Sequence, residues 1–273
     1  MDELGFVCLI ALDELVEILP SPLRRAFAYT APRSSMTIEA RDPEGAEQAF
    51  RITVDNHVFG CAVFDGPMPE DEYEFAQRKS LFWKDAGVEM EDHRAFVAIA
   101  AEQPENVHGL ARAQAIALTR LAAALCEELP ASGIYWKSAD TLSSVEAVSR
   151  GSGGIDQGKW PVDIWIGWQM YGEDDEDSPV LGLHTRGASA FLGFELEIPP
   201  FAVADRKEPL RILYGAAGYL MNFGDVIRDG QQVEVIGERR TDYKLHRDAN
   251  GNALVARLTV QTEEGPDAAS TAI

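Results

Sequence analysis

The pattern of apolar and polar residues predicts a core made of both strands and helices. Continuous apolar runs at 5–12 and 95–100 are typical of buried strands. Between 107 and 129 the chain is rich in alanine and leucine, and its apolar residues recur at helical spacing. Residues 134–136 and the alternating segment 162–171 predict two more strands. Together these segments indicate the middle of one hydrophobic core.

Turn residues and helix-breaking residues predict how the other elements are connected. Asp55 and Asn56 separate two strand-like segments and predict a hairpin. Asp13 can cap a helix that Pro20 and Pro22 would end. Further helices are predicted at 70–85, 140–148 and 208–227, and further strands at 34–39, 179–184, 194–198, 232–236, 242–246 and 253–261.

The order of these elements predicts an α+β fold. Helices and strands follow one another without a repeating βαβ unit, which argues against a doubly wound nucleotide-binding sheet. We expect mixed, mostly antiparallel sheets packed by the Ala/Leu-rich helix and by flanking helices. The expected organisation is a single unit over 1–262, with two sub-lobes at about 1–90 and 91–262 as the alternative. The polar residues 263–273 predict a disordered tail.

The charge of the chain narrows the classes of partner. The sequence holds 45 acidic residues against 24 lysines and arginines, which gives a formal net charge of -21. Such a surface repels phosphate backbones and anionic lipids, so nucleic acid and membrane are not expected as direct partners. A basic protein is the partner that this charge favours, whereas the simpler interpretation is an acidic surface that only maintains solubility.

Two acidic segments are candidates for binding a basic partner. Residues 65–92 contain many more acids than bases and predict one acidic face. Five consecutive acids form a predicted loop and are the candidate partner-binding residues: Glu173, Asp174, Asp175, Glu176 and Asp177.

Cysteine usage and the N-terminus predict a cytoplasmic protein. Cys8, Cys61 and Cys126 are odd in number and far apart in sequence, as expected for reduced thiols. The first residues are acidic, unlike a secretory signal. No apolar run approaches the roughly 20 residues that span a bilayer. The oligomeric state is left open by the sequence.

Possible catalytic or metal-binding residues are few. Glu91, Asp92 and His93 form the densest group of ligand-type side chains and could bind a divalent metal or supply a general base. The alternative is a solvated turn in which His93 packs locally. Glu195 and Glu197 share one face of a predicted strand and could act as paired carboxylates, or could face water while Phe194 and the other apolar residues point inward. The weak candidates are therefore His93 and Glu195 for catalysis, and Asp92 and His93 for metal binding; no cofactor is expected.

Two other patterns have simpler explanations. Residues 153–159 match the first seven positions of a phosphate-binding P-loop, but Trp160 replaces the hydroxyl residue at the eighth and Pro161 follows. Trp160, Trp165, Trp168 and Tyr171 could line a ligand pocket, although aromatic residues at this spacing more often belong to a core.

Several segments in a fixed order resemble a known family. They are His93-Arg94-Ala95-Phe96-Val97, Gly133-Ile134-Tyr135-Trp136, Trp160-Pro161-Val162-Asp163-Ile164-Trp165, Thr185-Arg186-Gly187 and Leu192-Gly193-Phe194-Glu195-Leu196-Glu197-Ile198. With these segments the chain resembles the bacterial domain-of-unknown-function family 4261 (DUF4261), over about 65–236. The family has no established activity. The resemblance implies a bacterial, cytosolic α+β protein and assigns no catalytic residue.

Two function classes follow from these observations. The first is a non-enzymatic protein whose acidic surface binds a basic protein, as an immunity protein or antitoxin does. The alternative is a hydrolase or metal-dependent enzyme that uses the Glu91, Asp92 and His93 group or Glu195. The absence of a recognisable catalytic motif favours the binding protein over the enzyme and leaves both open.

Overall fold

The computed structural model describes residues 5–78, 82–103, 108–173, 180–202, 207–223, 232–234, 240–247 and 254–260. Eight helices and two mostly antiparallel sheets are present in these ranges, which confirms the α+β class. The chain divides into two compact units. The first comprises Met1–Gln169 with Thr185–Gly193, and the second comprises Met170–His184 with Phe194–Ile273.

The first unit is built around a seven-stranded sheet. Its strands are β1 (Val7–Leu12), β2 (Met36–Arg41), β3 (Gln48–Val54), β4 (His57–Asp65), β5 (Ala95–Ala101), β6 (Ala131–Trp136) and β7 (Thr141–Ser143), in the spatial order β2-β3-β4-β5-β1-β6-β7. Its helices are α1 (Pro20–Thr30), α2 (Glu70–Arg78), α3 (Ala86–Glu91), α4 (His108–Glu128), α5 (Val145–Ile155), α6 (Val162–Trp165) and α7 (Ser189–Leu192). All neighbouring strands in this sheet are antiparallel.

Strand β1 lies near the middle of the sheet and is buried on both faces, as its continuous apolar run predicts. On one face the small residues of α4 allow the helix to approach the sheet closely. On the other face α2 and α3 close a second apolar layer that includes Leu9, Tyr73, Trp83, Met90 and Tyr135. The central helix, the strand at 95–101 and the first strand therefore form where the sequence predicts them.

The hairpin at Asp55 and Asn56 is confirmed. Both residues have positive φ, of 48° and 74°. Two successive positive values define the type I′ turn, whose twist matches the strands that it joins. Val54 is paired with His57 directly across this turn.

The prediction of a helix directly after Asp13 is wrong. Residues 13–19 are not helical, and α1 begins at Pro20, where the sequence predicted a helix end. Proline lacks an N–H group, but the first residues of a helix have no intrahelical acceptor for one. Pro20 and Pro22 therefore lie in the first turn of α1 without the loss of a helical hydrogen bond.

The predicted strand at 162–171 is only half correct. Residues Val162–Trp165 form the single turn α6, and the strand β8 (Gly167–Glu173) begins after it. Tertiary hydrogen bonds hold this turn, since Thr141 Oγ1 donates to the carbonyl of Ile164 at 2.7 Å. The indole of Trp165 donates to Thr119 Oγ1 at 2.8 Å. These contacts stabilise a helical turn at 162–165, although the alternation of apolar residues favours a strand.

Two glycines are required where this turn meets the loop after β6. A Cβ atom on Gly167 would overlap the carbonyl oxygen of Ala139, so no other residue fits there without a backbone shift. Gly187 has a φ of 92°, and its added Cβ would lie 3.1 Å from the carbonyl oxygen of Trp165. The segments 139–141, 164–167 and 185–188 thus pack backbone against backbone.

The second unit contains a six-stranded sheet. Its strands are β8, β9 (Val180–Arg186), β10 (Glu195–Ala202), β11 (Gln232–Glu234), β12 (Arg240–Arg247) and β13 (Leu254–Val260), in the order β11-β12-β13-β10-β9-β8. Only the β10–β13 pairing is parallel among the pairings described. Helix α8 (Lys207–Phe223) packs on β10. None of the helices that the structure describes is both long and apolar enough to cross a membrane.

Candidate functional site

His93 lies in the core, with 4% of its surface exposed. Its Nε2 accepts a hydrogen bond from the backbone N–H of Met68 at 2.8 Å, and its Nδ1 lies 2.5 Å from the carbonyl of Met90. The neutral ring with its proton on Nδ1 satisfies both contacts. Since both nitrogens already bind backbone groups, the ring has no lone pair left for a metal ion. His93 therefore joins the loop before α2 to the end of α3.

Glu91 and Asp92 are exposed and directly precede His93. Asp92 follows the last residue of α3 and precedes β5. Within the ranges that the structure describes, no group of three or more histidine, cysteine, aspartate or glutamate side chains has an arrangement suited to a metal ion.

The topology of the first sheet brings Glu91 and Asp92 together with other acids. Antiparallel neighbours run in opposite directions, so the last residue of one strand lies beside the first residue of the next. Arg41 is paired with Ala49, Asp65 and Leu12 are both paired with Ala95, and Leu12 is also paired with Ala131. The ends of β2, β4, β1 and β7 consequently lie at the same end of the sheet as the starts of β3, β5 and β6.

We name this the acidic end of the sheet. Its exposed carboxylates follow or precede those strands and are Asp13, Glu14, Asp42, Glu44, Glu47, Asp65, Glu91, Asp92, Glu127, Glu128 and Glu146. The basic residues that directly flank the same strand termini are Arg41 and Arg94. Within the described ranges, none of these carboxylates forms an ion pair.

The opposite end of the same sheet differs. Asp55 pairs with Arg120 at 3.4 Å, and Asp140 pairs with Arg186 at 3.2 Å. Glu102, which follows β5, pairs with Arg51 at 3.0 Å. Asp55, Glu102 and Asp140 therefore form ion pairs with arginines of the fold, whereas the carboxylates of the acidic end are exposed to solvent.

A cavity of about 350 Å³ opens at the acidic end, between the start of β6 and the start of α5. Its lining consists of Asp13, Glu89, Ala131, Ser132, Ser144, Val145 and Glu146. Glu89 accepts a hydrogen bond from the indole of Trp83 at 3.2 Å, which fixes that carboxylate at the rim. The lining holds three carboxylates and no basic residue, so its chemistry suits an ammonium or guanidinium group.

A second group of polar side chains lies at the opposite end of the sheet. The hydroxyl of Tyr135 donates to Asp140 Oδ1 at 2.9 Å, and Arg186 contacts the other oxygen of that carboxylate. Burial raises the pKa of Tyr135, and the nearby Asp140 carboxylate raises it further, so the phenol stays protonated. Asp140 itself has a φ of 55° in a tight turn. The group holds the loop after β6.

Glu195 and Glu197 lie on β10 in the second unit. The residues between and beside them, Phe194, Leu196 and Ile198, are buried, which confirms the predicted alternation. Glu197 accepts a hydrogen bond from the Tyr171 hydroxyl at 2.7 Å and forms an ion pair with Arg257 at 3.2 Å. Its carboxylate thus has structural partners. Glu195 is half-buried in the same strand.

The run of five acids lies only partly within the described structure. Glu173 is the last residue of β8, and 174–177 lie outside the described residues. The predicted partner-binding role of Glu173, Asp174, Asp175, Glu176 and Asp177 stays a prediction. The predicted tail at 263–273 also lies outside the described residues.

The segment that resembles a P-loop has the wrong geometry for one. Residues 153–155 form the last turn of α5, where a P-loop would require the beginning of a helix. A helix ends with carbonyl groups and a partial negative charge, which repel phosphate. Ser144 caps the other end of α5 by accepting a hydrogen bond from Ala147 N at 3.2 Å.

Comparison with known proteins adds no relative. No protein-family model, no curated protein and no solved structure matches the chain. The acidic end must be interpreted from its own geometry.

Proposed function

We propose that this protein binds a basic protein and has no catalytic role of its own, in the manner of an immunity protein or antitoxin. The observation that carries the proposal is the acidic end of the first sheet. Acids from separate loops lie there without ion-pair partners among the described residues, and Asp13, Glu89 and Glu146 line a cavity suited to a lysine or arginine side chain.

The contrast between the two ends of the sheet supports this proposal over general solubility. A surface that only maintains solubility has no need to segregate its unpaired acids. Like charges placed side by side repel one another and destabilise the fold. A cationic partner would relieve that repulsion on binding, and the same field would accelerate its diffusional encounter.

Membership of the domain-of-unknown-function family 4261 and a cytoplasmic location belong to the same proposal. Both rest on the sequence alone, through the segments around Trp136 and Trp165 and through the reduced cysteines. Neither assigns the partner. The chemistry of the acidic end supports a partner with a basic surface and a protruding lysine or arginine.

The enzyme alternative has no supporting geometry in the described residues. His93 uses both ring nitrogens to bind the backbone, and Glu197 is held by Tyr171 and Arg257. Because both ring nitrogens of His93 are already hydrogen-bonded, this residue is not available as a metal ligand or general base.

The proposal is tested by neutralising one acidic surface at a time. The first variant carries Asp13→Asn, Asp92→Asn and Glu146→Gln at the acidic end. The second carries Asp174→Asn, Asp175→Asn and Glu176→Gln, which removes the same charge from the other candidate segment. Each protein and the wild type capture partners from lysate at low salt, and proteins released by added salt are identified and purified.

Affinity of the purified partner then decides between the surfaces. We expect the acidic-end variant to bind at least about tenfold more weakly than the wild type, with a shallower dependence on salt, because charge pairs at an interface contribute at least about 1.4 kcal/mol together. The second variant should bind with nearly wild-type affinity. Loss of binding only in the second variant would move the interface to 173–177 and contradict the role of the acidic end.

A further inference from the structure

Besides the acidic end, the first unit contains a positively charged side chain that lies over an aromatic ring. The guanidinium of Arg112, on α4, lies over the indole ring of Trp160, with its Cζ 5.3 Å from the ring centroid. Trp160 in turn stacks on Trp165 at 6.2 Å, and Trp165 is fixed by its hydrogen bond to Thr119. Arg112 and Thr119 are seven residues apart on one side of α4, so one side of the helix holds both rings.

Two hydrogen-bond donors at this stack lack an acceptor. Arg112 Nε and Trp160 Nε1 are both buried, and neither has a hydrogen-bond partner among the described residues. Buried donors in folded proteins nearly always have a partner, so a pair of them on two stacked side chains requires an explanation. The Trp165 indole, in the neighbouring ring, is satisfied.

The charge of Arg112 is also uncompensated. No ion pair involves Arg112 in the part of the chain that the structure describes. Helix α4 carries no acidic residue before Glu127, so no carboxylate lies one turn away. Burial lowers the pKa of Arg112. This isolation is unusual in a chain where acids outnumber bases by 45 to 24.

The residue next to Trp160 in sequence adds positive charge. Lys159 directly precedes Trp160, is exposed and forms no described ion pair. Asp156, the nearest preceding acid in sequence, is bound by Arg120 at 2.6 Å. Burial raises the pKa of Asp163, the nearest following acid.

We propose that Arg112 and Trp160 form a binding site for a small oxyanion, a carboxylate or a phosphate group. An oxyanion would supply acceptor oxygens to the unpaired donors and a counter-charge to the guanidinium. A water molecule could satisfy the donors but would leave the charge uncompensated. The planar guanidinium suits two parallel hydrogen bonds to such a group, and the indole beneath it fixes its orientation.

The test follows the indole N–H resonance of Trp160 in ¹H–¹⁵N spectra of the full chain. The chain has five tryptophans, and a Trp160→Phe variant identifies the resonance by its disappearance. Inorganic phosphate and acetate are titrated separately, with ionic strength held constant by sodium chloride. The two titrations distinguish a phosphate site from a carboxylate site.

We expect a saturable shift of the Trp160 resonance with one of the two anions. Arg112→Met keeps much of the apolar side-chain volume and removes the charge, so it should weaken binding about tenfold or more, as for other hydrogen bonds to charged groups. Arg41→Met removes an exposed arginine on β2 and serves as the matched control, with wild-type affinity expected. Unchanged positions of the other indole resonances in each variant show that its fold is intact.

Two results would overturn the proposal. The first is a wild-type protein whose Trp160 resonance shows no saturable shift with either anion, and this result does not depend on any variant. The second is an Arg112→Met protein that is folded and binds as the wild type does. If Arg112→Met does not fold, Arg112→Gln takes its place in the comparison.

Discussion

At the scale of single residues, His93 shows why a group of ligand-type side chains need not be a site. The sequence Glu91-Asp92-His93 predicts either a metal-binding group or a turn with a packed histidine. In the structure the ring points inward and binds the backbone at Met68 and Met90, while both carboxylates point to water. Sequence alone could not decide this, because the partners are backbone groups that any residue type provides.

Replacement of His93 by alanine should destabilise the protein by about 1–3 kcal/mol, because it leaves the buried N–H of Met68 and the carbonyl of Met90 unsatisfied. Urea unfolding followed by circular dichroism measures the loss. His57→Ala is the control, since His57 is half-exposed and has no described side-chain hydrogen bond. Equal stability of the two variants would contradict the structural role of His93.

The buried cysteines predict a loss of stability at high pH. Burial raises the pKa of Cys61 and of Cys126 to about 12, from an ordinary value of 9.0. Thiols of the unfolded chain ionise above pH 9, whereas the folded thiols stay protonated. Each thiol therefore contributes stability that is fully present below pH 9 and is lost between pH 9 and 12, at about 1.4 kcal/mol per pH unit.

Urea unfolding at pH 8, 9, 10 and 11 measures this slope. The variant with Cys61→Ala and Cys126→Ala should show a shallower decline than the wild type over the same range. Its absolute stability at pH 8 will be lower, because alanine leaves small cavities, so the slopes and not the midpoints are compared. Identical slopes would show that these thiols ionise in the folded protein too.

At the scale of elements, the sequence predicted those whose pattern is decided locally. The hairpin at Asp55 and Asn56 follows from residues that tolerate positive φ, and the burial of Phe194, Leu196 and Ile198 follows from the period of a strand. The turn Val162–Trp165 was mistaken for strand because its conformation depends on distant hydrogen-bond partners. The start of α1 was missed because proline both ends and begins helices.

Two glycine substitutions separate these local and tertiary effects. Gly167→Ala places a methyl group against the carbonyl of Ala139 and should destabilise the protein by at least about 2 kcal/mol, in the range for strained or overpacked positions. Gly153→Ala, in the C-terminal part of α5, meets no atom within 4 Å and should stabilise by about 0.5–1 kcal/mol. Thermal unfolding of both variants measures the two shifts. A neutral Gly167→Ala would show that the segments 139–141 and 164–167 are loosely packed.

At the scale of the whole molecule, the acidic end arises from topology. Its acids come from separate segments of the sequence, and each segment by itself resembles an ordinary solvated turn. The sequence predicted an acidic face at 65–92, but Asp13, Glu128 and Glu146 join that face only because the end of β1, the start of β6 and the end of β7 lie at the same end of the sheet as the start of β5. The local sequence pattern does not show the order of the strands in a sheet. It also does not show that Arg112 lacks an ion-pair partner among the described residues.

Repulsion at the acidic end should make stability depend on salt. Added sodium chloride screens the carboxylates, so the free energy of unfolding should rise between 0.02 and about 0.5 M salt at neutral pH. The Asp13→Asn, Asp92→Asn and Glu146→Gln variant should be more stable than the wild type at low salt and should gain less from added salt. Chemical unfolding with urea, which is uncharged, measures both effects. A variant less stable than the wild type would show that these carboxylates stabilise the fold.

The binding titration against the salt-released basic partner tests the central claim most directly. Isothermal titration at several salt concentrations compares the wild type, the acidic-end variant and the variant altered at 174–176. We predict at least about tenfold weaker binding and a smaller salt dependence for the acidic-end variant alone. Equal affinity of the acidic-end variant and the wild type at every salt concentration would contradict the account.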